Sequence, residues 1–211
     1  MSSPKIEDGV IVGTSSNKYE SRNPAMRYLV AGFDRAITSL LAMSDASNVL
    51  EIGAGEGHVT DLILEHTEAK VHATDISEQV IGQTSRRINS DRVTFDQLDI
   101  ADEPDFGTTF DLIVCCEVLE HIDDPKRALE YISRSAPFAL LSVPREPIFR
   151  GLNVLRGAYL SDWGNSPGHI QHWSASGFVA LIEQYFDIHK VTKPLPWTAL
   201  YGKSKRYSAP S

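Results

Sequence analysis

A glycine-rich segment, Glu51–His58, carries the clearest chemical signal in this sequence. It follows a short apolar run and precedes residues with helical spacing, so it is predicted to turn a strand into a helix. Glycines at Gly53, Gly55 and Gly57 allow a tight turn and a close approach of the backbone to a ligand. The segment therefore predicts a binding loop for a nucleotide-type cofactor.

The spacing and charge of this loop distinguish between such cofactors. The dinucleotide fingerprint requires glycine or alanine at a third site, which His58 occupies when the count starts from Gly53 and Gly55. Glu56 also places a negative charge in the loop, which disfavours a bound pyrophosphate. Both features argue against NAD, and a plain tight turn without a ligand is the remaining alternative.

The elements around the loop alternate between strand and helix patterns. Asn23 and Pro24 predict the start of a helix that ends near Ser44, because apolar residues behind them follow helical spacing. Apolar runs separated by helical stripes predict strands at 49–52, 70–74, 92–97, 110–116 and 138–143, with weaker candidates at 188–192 and 197–201. This alternation predicts an α/β fold with a mostly parallel sheet covered on both faces.

Four motifs in register resemble those of class I S-adenosylmethionine-dependent methyltransferases of the small-molecule type, the ubiquinone/menaquinone methyltransferase-like or type 11 group. They are the glycine loop, Asp75, Asp99 with Ile100, and the segment 110–125. The resemblance implies a Rossmann-like seven-stranded sheet in the order 3-2-1-4-5-7-6, with the last strand antiparallel. It also implies S-adenosyl-L-methionine as cofactor and S-adenosyl-L-homocysteine as product.

The same resemblance implies roles for five residues at the carboxyl ends of the strands. Asp75 would hold the ribose hydroxyls, since a carboxylate offers two acceptor oxygens. Asp99 would lie beside the adenine amino group, with Ile76 and Ile100 flanking the ring. Glu117 ends the fourth predicted strand and is expected near the cofactor.

Two further residues are candidates for cofactor binding. Tyr19 precedes the first helix and would close the site, as an N-terminal segment does in relatives; simple packing is its alternative. Glu51 would orient the amides of the glycine loop or touch the ligand's amino group indirectly. Asp75 has an alternative role as a helix cap before Ser77, and Asp99 as an ordinary loop acid.

Three histidines are candidates for the chemistry of transfer. His121 lies just past the fourth predicted strand, and His169 and His172 lie close together beside a glutamine and a tryptophan. Imidazole suits general-base catalysis near neutral pH, and polar donors beside an aromatic wall predict an acceptor pocket. Helix capping or polar packing are the alternatives. No cysteine or carboxylate has zinc-site spacing relative to these histidines, so no metal is predicted.

The chain is interpreted as a single methyltransferase domain, 1–211. A thirty-residue interruption without regular pattern is typical of a functional lid, and its arginines, Arg145, Arg150 and Arg156, are candidates for binding an anionic acceptor. The expected parts are an N-terminal arm and cap helix (1–45), a cofactor-binding core (46–143), a substrate-lid insertion (144–173), a C-terminal helix and hairpin (174–202) and a tail (203–211).

Composition and charge limit the kinds of binding partner that we expect. The 20 basic and 28 acidic residues give a formal net charge of −8, which disfavours nucleic acid. No apolar run approaches the ~20 residues of a membrane helix, and no secretory signal is visible. Adjacent Cys115 and Cys116 are interpreted as reduced thiols of a cytoplasmic protein. We expect a small-molecule acceptor, no nucleic acid and no stable membrane insertion, and the oligomeric state stays open.

The resemblance implies methyl transfer to an oxygen or nitrogen of a small or medium-sized metabolite. One alternative is a methyltransferase acting on protein or nucleic acid. DNA base-amino enzymes carry Asn/Asp-Pro-Pro-Tyr/Phe at the fourth motif, where this sequence has Cys115-Cys116-Glu117-Val118. A second alternative is a module that binds S-adenosylmethionine without catalysis.

Overall fold

A seven-stranded sheet forms the centre of the protein. The structure, a computed structural model, describes residues 5–7, 10–12, 19, 21–155 and 170–209. The strands of the sheet are β3 (Asn48–Ile52), β4 (Lys70–Asp75), β5 (Val93–Gln97), β6 (Leu112–Cys116), β7 (Phe138–Pro144), β8 (Phe186–Thr192) and β9 (Trp197–Ser204).

The strand order is β5-β4-β3-β6-β7-β9-β8, which is 3-2-1-4-5-7-6 when the strands of this sheet alone are counted. β5, β4, β3, β6 and β7 are parallel, whereas β9 runs antiparallel to both of its neighbours, β7 and β8. The predicted fold class, order and antiparallel last strand are confirmed. The order reverses between β3 and β6, and ligands of open α/β sheets bind at the carboxyl ends of strands beside such a reversal.

Helices cover both faces of the sheet. They are α1 (Pro24–Leu41), α2 (His58–His66), α3 (Glu78–Arg87), α4 (Pro125–Ser135), α5 (Ile148–Leu155) and α6 (Ala175–Ile182). α1 begins as predicted, because the Asn23 side chain accepts a hydrogen bond from the Ala25 N–H (2.9 Å) and Pro24 fills the first turn. α5 lies inside the predicted lid segment.

Strand β6 shows how the two faces are buried. All five of its side chains are buried and alternate between two apolar clusters: Leu112, Val114 and Cys116 pack toward α1 and α2, and Ile113 and Cys115 toward α4 and α6. Burial of each large aliphatic side chain stabilises the fold by about 1.5 to 3 kcal/mol. The two buried cysteines, Cys115 and Cys116, form no disulfide and lie on opposite faces of the sheet.

Both ends of the chain are more regular than the sequence predicts. The N-terminal arm, in which no strand was predicted, contains an antiparallel pair, β1 (Lys5–Glu7) and β2 (Val10–Val12). β9 continues to Ser204, past the predicted start of the tail, because backbone pairing with Phe138 and Asp187 continues through its polar residues. Among the described helices, none is both long and apolar enough to cross a membrane.

Candidate active site

The glycine loop joins β3 to α2 at the carboxyl edge of the sheet. Gly53, Gly55 and Gly57 have φ angles of 73°, 53° and 83°, a left-handed region that side chains disfavour. A Cβ atom at Gly53 would overlap the Cγ2 methyl of Val118, and one at Gly57 would lie 2.7 Å from the Thr84 Cγ2 methyl. A Cβ at Gly55 would meet no atom within 4 Å. Gly53 and Gly57 are therefore required by close packing, whereas Gly55 borders open space, which we call the Gly55 cradle.

Strand β4 holds the loop in this shape. The N–H groups of Gly53 and Ala54 both donate to the carbonyl oxygen of Thr74 at 2.8 Å. The Thr74 hydroxyl donates to the carbonyl oxygen of Glu51, also at 2.8 Å. Sequence reasoning missed Thr74, a buried hydroxyl at the carboxyl end of the strand, whose position beside Asp75 was the available signal.

Asp75 connects the glycine loop to the start of α3. Its Oδ2 accepts from the Gly55 N–H at 2.8 Å and its Oδ1 from the Ser77 N–H at 2.9 Å. The helix cap is Ser77, whose Oγ accepts from the Val80 N–H. A carboxylate offers about four acceptor positions, so Asp75 retains capacity for ligand hydroxyls beside the Gly55 cradle.

The residues expected around the adenine ring differ in exposure. Ile76 is 38% exposed at the end of β4, whereas Ile100 is 5% exposed and packs in the core toward α4. Asp99 caps a short 3-10 turn, since its Oδ1 accepts from the Ala101 N–H at 2.8 Å. Their contacts with adenine stay predictions.

Glu51 lies beneath the loop. Its side chain is 2% exposed, and its Oε2 accepts a 2.6 Å hydrogen bond from the Thr60 hydroxyl of α2. Burial raises the pKa of this carboxyl to about 7, against the opposing effect of the Thr60 hydrogen bond. The amides of Gly53 and Ala54 donate to the carbonyl oxygen of Thr74 and not to the Glu51 side chain. The hydrogen bond of the Glu51 side chain with Thr60 instead connects β3 to α2.

The raised pKa of Glu51 predicts that the wild type and the variant Glu51→Gln differ in how their stability depends on pH. Because the pKa of Glu51 rises from 4.5 to about 7 on folding, the native state retains its proton where the unfolded chain has lost it. Its stabilising contribution is complete below pH 4.5 and is lost as the pH rises through about 7. Relative to the variant, the wild-type free energy of unfolding should fall by on the order of 2 to 3 kcal/mol across that interval.

Urea unfolding at a series of pH values checks this expectation. The exposed residue Glu65 in α2 supplies the control, because Glu65→Gln should keep the pH dependence of the wild type. Parallel stability curves for the wild type and Glu51→Gln would show that Glu51 does not titrate in this interval.

Glu117 follows β6 and is held by residues from both ends of the chain. Its Oε1 accepts a hydrogen bond from the indole Nε1 of Trp197, and its Oε2 lies 3.5 Å from the donating hydroxyl of Tyr19. Glu117 has a φ of 59°, which is uncommon for a residue with a side chain and often marks functional sites. Trp197 was not predicted, since nothing in the local sequence relates it to a residue 80 positions earlier.

Tyr19 crosses the edge of the sheet from the glycine loop to Glu117. Its ring stacks on the imidazole of His58 with the centroids 3.8 Å apart, and burial raises the pKa of its phenol. The Nε2 of His58 lies 2.7 Å from Oδ1 of Asp34 in α1. The structure therefore brings Tyr19 into contact with His58 at the glycine loop and with Glu117 after β6. A role in closing the site stays a prediction.

The histidines fall into different surroundings. His121 is exposed at the end of the 3-10 turn Leu119–His121. His172 is 35% exposed, with its Nδ1 3.8 Å from Oε1 of Glu146, a partner that sequence reasoning missed. His169 lies outside the described residues, as do Arg156 and the side chain of Arg150. In the part of the chain that is described, no group of three or more His, Cys, Asp or Glu could hold a metal ion.

Comparison with known proteins assigns a family to the central part of the chain. Residues 50–136 match the family model of a methyltransferase domain. The chain is 33% identical over 101 residues to an uncharacterized protein of Synechococcus sp., covering 45% of this chain and 24% of that protein. It is 27% identical over 117 residues to nodulation protein S of Azorhizobium caulinodans, covering 53% of this chain and 56% of that protein. The chain thus spans about half or less of these curated relatives.

Solved structures share the fold at low sequence identity. The N-methyltransferase NodS from Bradyrhizobium japonicum, crystallised with S-adenosyl-L-homocysteine, has a TM-score of 0.66 at 16% identity, covering 90% of this chain and 94% of that one. Magnesium protoporphyrin IX methyltransferase from Synechocystis, also with S-adenosylhomocysteine, has a TM-score of 0.64 at 19% identity, covering 88% and 89%. These similarities show the common fold.

Proposed function

We propose that the chain is a class I, S-adenosylmethionine-dependent methyltransferase, since residues 50–136 match a methyltransferase domain. It transfers a methyl group from S-adenosylmethionine to an oxygen or nitrogen of a small or medium-sized metabolite. One observation carries the proposal: the open cradle at Gly55 lies directly beside the carboxylate of Asp75. A backbone without a side chain, next to an acceptor at a strand end, suits the ribose of a nucleoside ligand.

Residues at this edge are proposed to hold the cofactor, and their charges support the proposal. Asp75 would accept from the ribose hydroxyls, and Ile76, Asp99 and Ile100 would surround the adenine. Glu117 and Tyr19 would contact the amino-acid end, while Glu51 supports the loop from below. The acidic groups Asp75 and Glu117 suit a cofactor that carries a positive sulfonium and no phosphate.

When bound, S-adenosylmethionine supplies a methyl group already activated by the positive charge on sulfur, and S-adenosylhomocysteine remains. The chain's task is then to orient the acceptor in line with that methyl and to exclude water. Residues 144–173 are proposed as the lid that covers the acceptor. A base is required only for an acceptor that must lose a proton, and His121, His169 and His172 are the candidates.

Several observations favour a small acceptor over a macromolecule. The formal net charge of −8 disfavours binding to the phosphate backbone of a nucleic acid, so a nucleic-acid acceptor is disfavoured. The similar structures include an N-methyltransferase and a magnesium protoporphyrin IX methyltransferase. We also propose a cytoplasmic location, because the buried thiols of Cys115 and Cys116 form no disulfide.

The cofactor proposal predicts that S-adenosylhomocysteine raises the melting temperature. At a ligand concentration 100 times its dissociation constant, binding adds about 2.7 kcal/mol, which corresponds to roughly 5 to 10 °C for a domain of this size. Differential scanning fluorimetry with S-adenosylhomocysteine and NAD in parallel measures this shift. Stabilisation by NAD alone would overturn the assignment.

Labelled methyl transfer then tests catalysis. Incubation with methyl-labelled S-adenosylmethionine and separate metabolite, protein and RNA pools should place the label in the metabolite pool. Label only in protein or RNA would overturn the small acceptor. Cofactor binding without transfer to any pool would support the alternative of a non-catalytic module.

A further inference from the structure

The two ends of the lid segment are fastened to each other. The Glu146 N–H donates to the carbonyl oxygen of Trp173 at 2.9 Å, and Arg145 forms an isolated parallel bridge with Trp173. On the far side of this contact, the Arg145 N–H donates to the carbonyl oxygen of Pro196 at 2.7 Å. Residues 145–146 and 172–173 therefore hold a defined geometry relative to the sheet.

The C-terminal end of the same segment contacts the turn that follows β6. The N–H groups of Ile170 and Gln171 donate to the carbonyl oxygen of Glu120 at 3.0 and 3.1 Å. Glu120 belongs to the 3-10 turn Leu119–His121, which begins two residues after Glu117. The Glu117 N–H in turn donates to Ser142 in β7 at 2.9 Å. His172 thus lies on a segment joined to the carboxyl ends of β6 and β7.

Glu146 and His172 face each other within this geometry. The Nδ1 of His172 lies 3.8 Å from Oε1 of Glu146, and their side chains are 35% and 12% exposed. A carboxylate at Nδ1 favours the tautomer with its proton on Nδ1, which leaves the lone pair on Nε2. The separation exceeds a hydrogen bond, and catalytic contacts of this kind often shorten only when substrate binds.

We propose that Glu146 is a positioning residue for His172 and that His172 is the base for an acceptor that is methylated on a hydroxyl group. This inference rests on the proposed function and narrows its acceptor class. His172 takes the hydroxyl proton at Nε2 while the acceptor oxygen bonds to the methyl carbon, and sulfur retains the electron pair of the bond that breaks. The Glu146 carboxylate stabilises the imidazolium that results.

Methyl transfer by the full chain to two phenols of different acidity tests the roles of Glu146 and His172. 4-Methoxyphenol has a pKa of about 10, so at about pH 8 it must lose its proton to be methylated. 4-Nitrophenol is already largely ionised at that pH. With 4-methoxyphenol, Glu146→Gln should lower kcat about 10-fold or more and His172→Ala about 100-fold or more, with KM little changed. With 4-nitrophenol both variants should stay within about threefold of the wild type. Glu146→Asp should restore part of the loss.

The exposed glutamate Glu183 supplies the control, since Glu183→Gln should match the wild type with both phenols. Equal losses with the two phenols would show a merely structural role and overturn the proposal. Lack of transfer to either phenol, by a protein that S-adenosylhomocysteine stabilises, would overturn the hydroxyl assignment alone. If S-adenosylhomocysteine does not stabilise the wild type, the proposed function itself fails.

Discussion

Asp75→Ala should weaken the binding of S-adenosylhomocysteine by about 100-fold or more. Two hydrogen bonds from ribose hydroxyls to a carboxylate contribute about 1.5 to 3 kcal/mol each, and 1.4 kcal/mol corresponds to tenfold in affinity. The substitution also removes the acceptor of the Gly55 N–H, so the loop loses its contact with β4 at the position where the ligand is expected. Both effects lower affinity. Isothermal titration calorimetry of the folded variant measures the change.

A neighbouring residue separates lost binding from lost stability. Ser77→Ala removes the cap of α3, whose Oγ accepts from the Val80 N–H at 3.1 Å, and should cost about 1 kcal/mol of stability. Its affinity for S-adenosylhomocysteine should equal that of the wild type. If Asp75→Ala lowers the melting temperature as Ser77→Ala does but binds normally, Asp75 is only a structural residue of the turn.

Alanine at Gly53 should mainly destabilise the fold, whereas alanine at Gly55 should mainly weaken the binding of S-adenosylhomocysteine. Gly53→Ala places a Cβ atom in a left-handed conformation and against the Val118 methyl. The left-handed conformation costs about 1 to 2 kcal/mol and the overlap about 1 to 3 kcal/mol, so the free energy of unfolding should fall by about 2 to 5 kcal/mol. Urea unfolding measures this loss.

Gly55→Ala meets no atom within 4 Å and should lose only about 1 to 2 kcal/mol of stability. Its new methyl group projects into the proposed ribose cradle, so affinity for S-adenosylhomocysteine should fall at least tenfold in calorimetry. Normal affinity of Gly55→Ala would place the ligand elsewhere. Equal destabilisation of both variants would contradict the difference in packing between the two glycines.

Much of the fold could be predicted from the sequence because its signals are local. The cap of α1 lies within two residues of the N–H it binds, and the buried run of β6 marks a central strand by its own composition. Strand order followed from resemblance to a family, whose motifs in register imply one topology. The end of the last strand differs from the prediction, because β9 continues through Gly202 to Ser204, where backbone pairing outweighs side-chain character.

The sequence by itself determined the glycine loop, the acidic residues at three strand ends (Asp75, Asp99 and Glu117) and the histidine candidates, because residue type and spacing express these features. Only the tertiary structure decided which side chains meet. Trp197 contacts Glu117 across 80 positions, Tyr19 reaches it across 98, and Glu146 faces His172 from the other end of the lid. No sequence pattern relates these partners, because they are far apart along the chain. The parallel order of the strands and the packing of the helices bring them to one edge of the sheet.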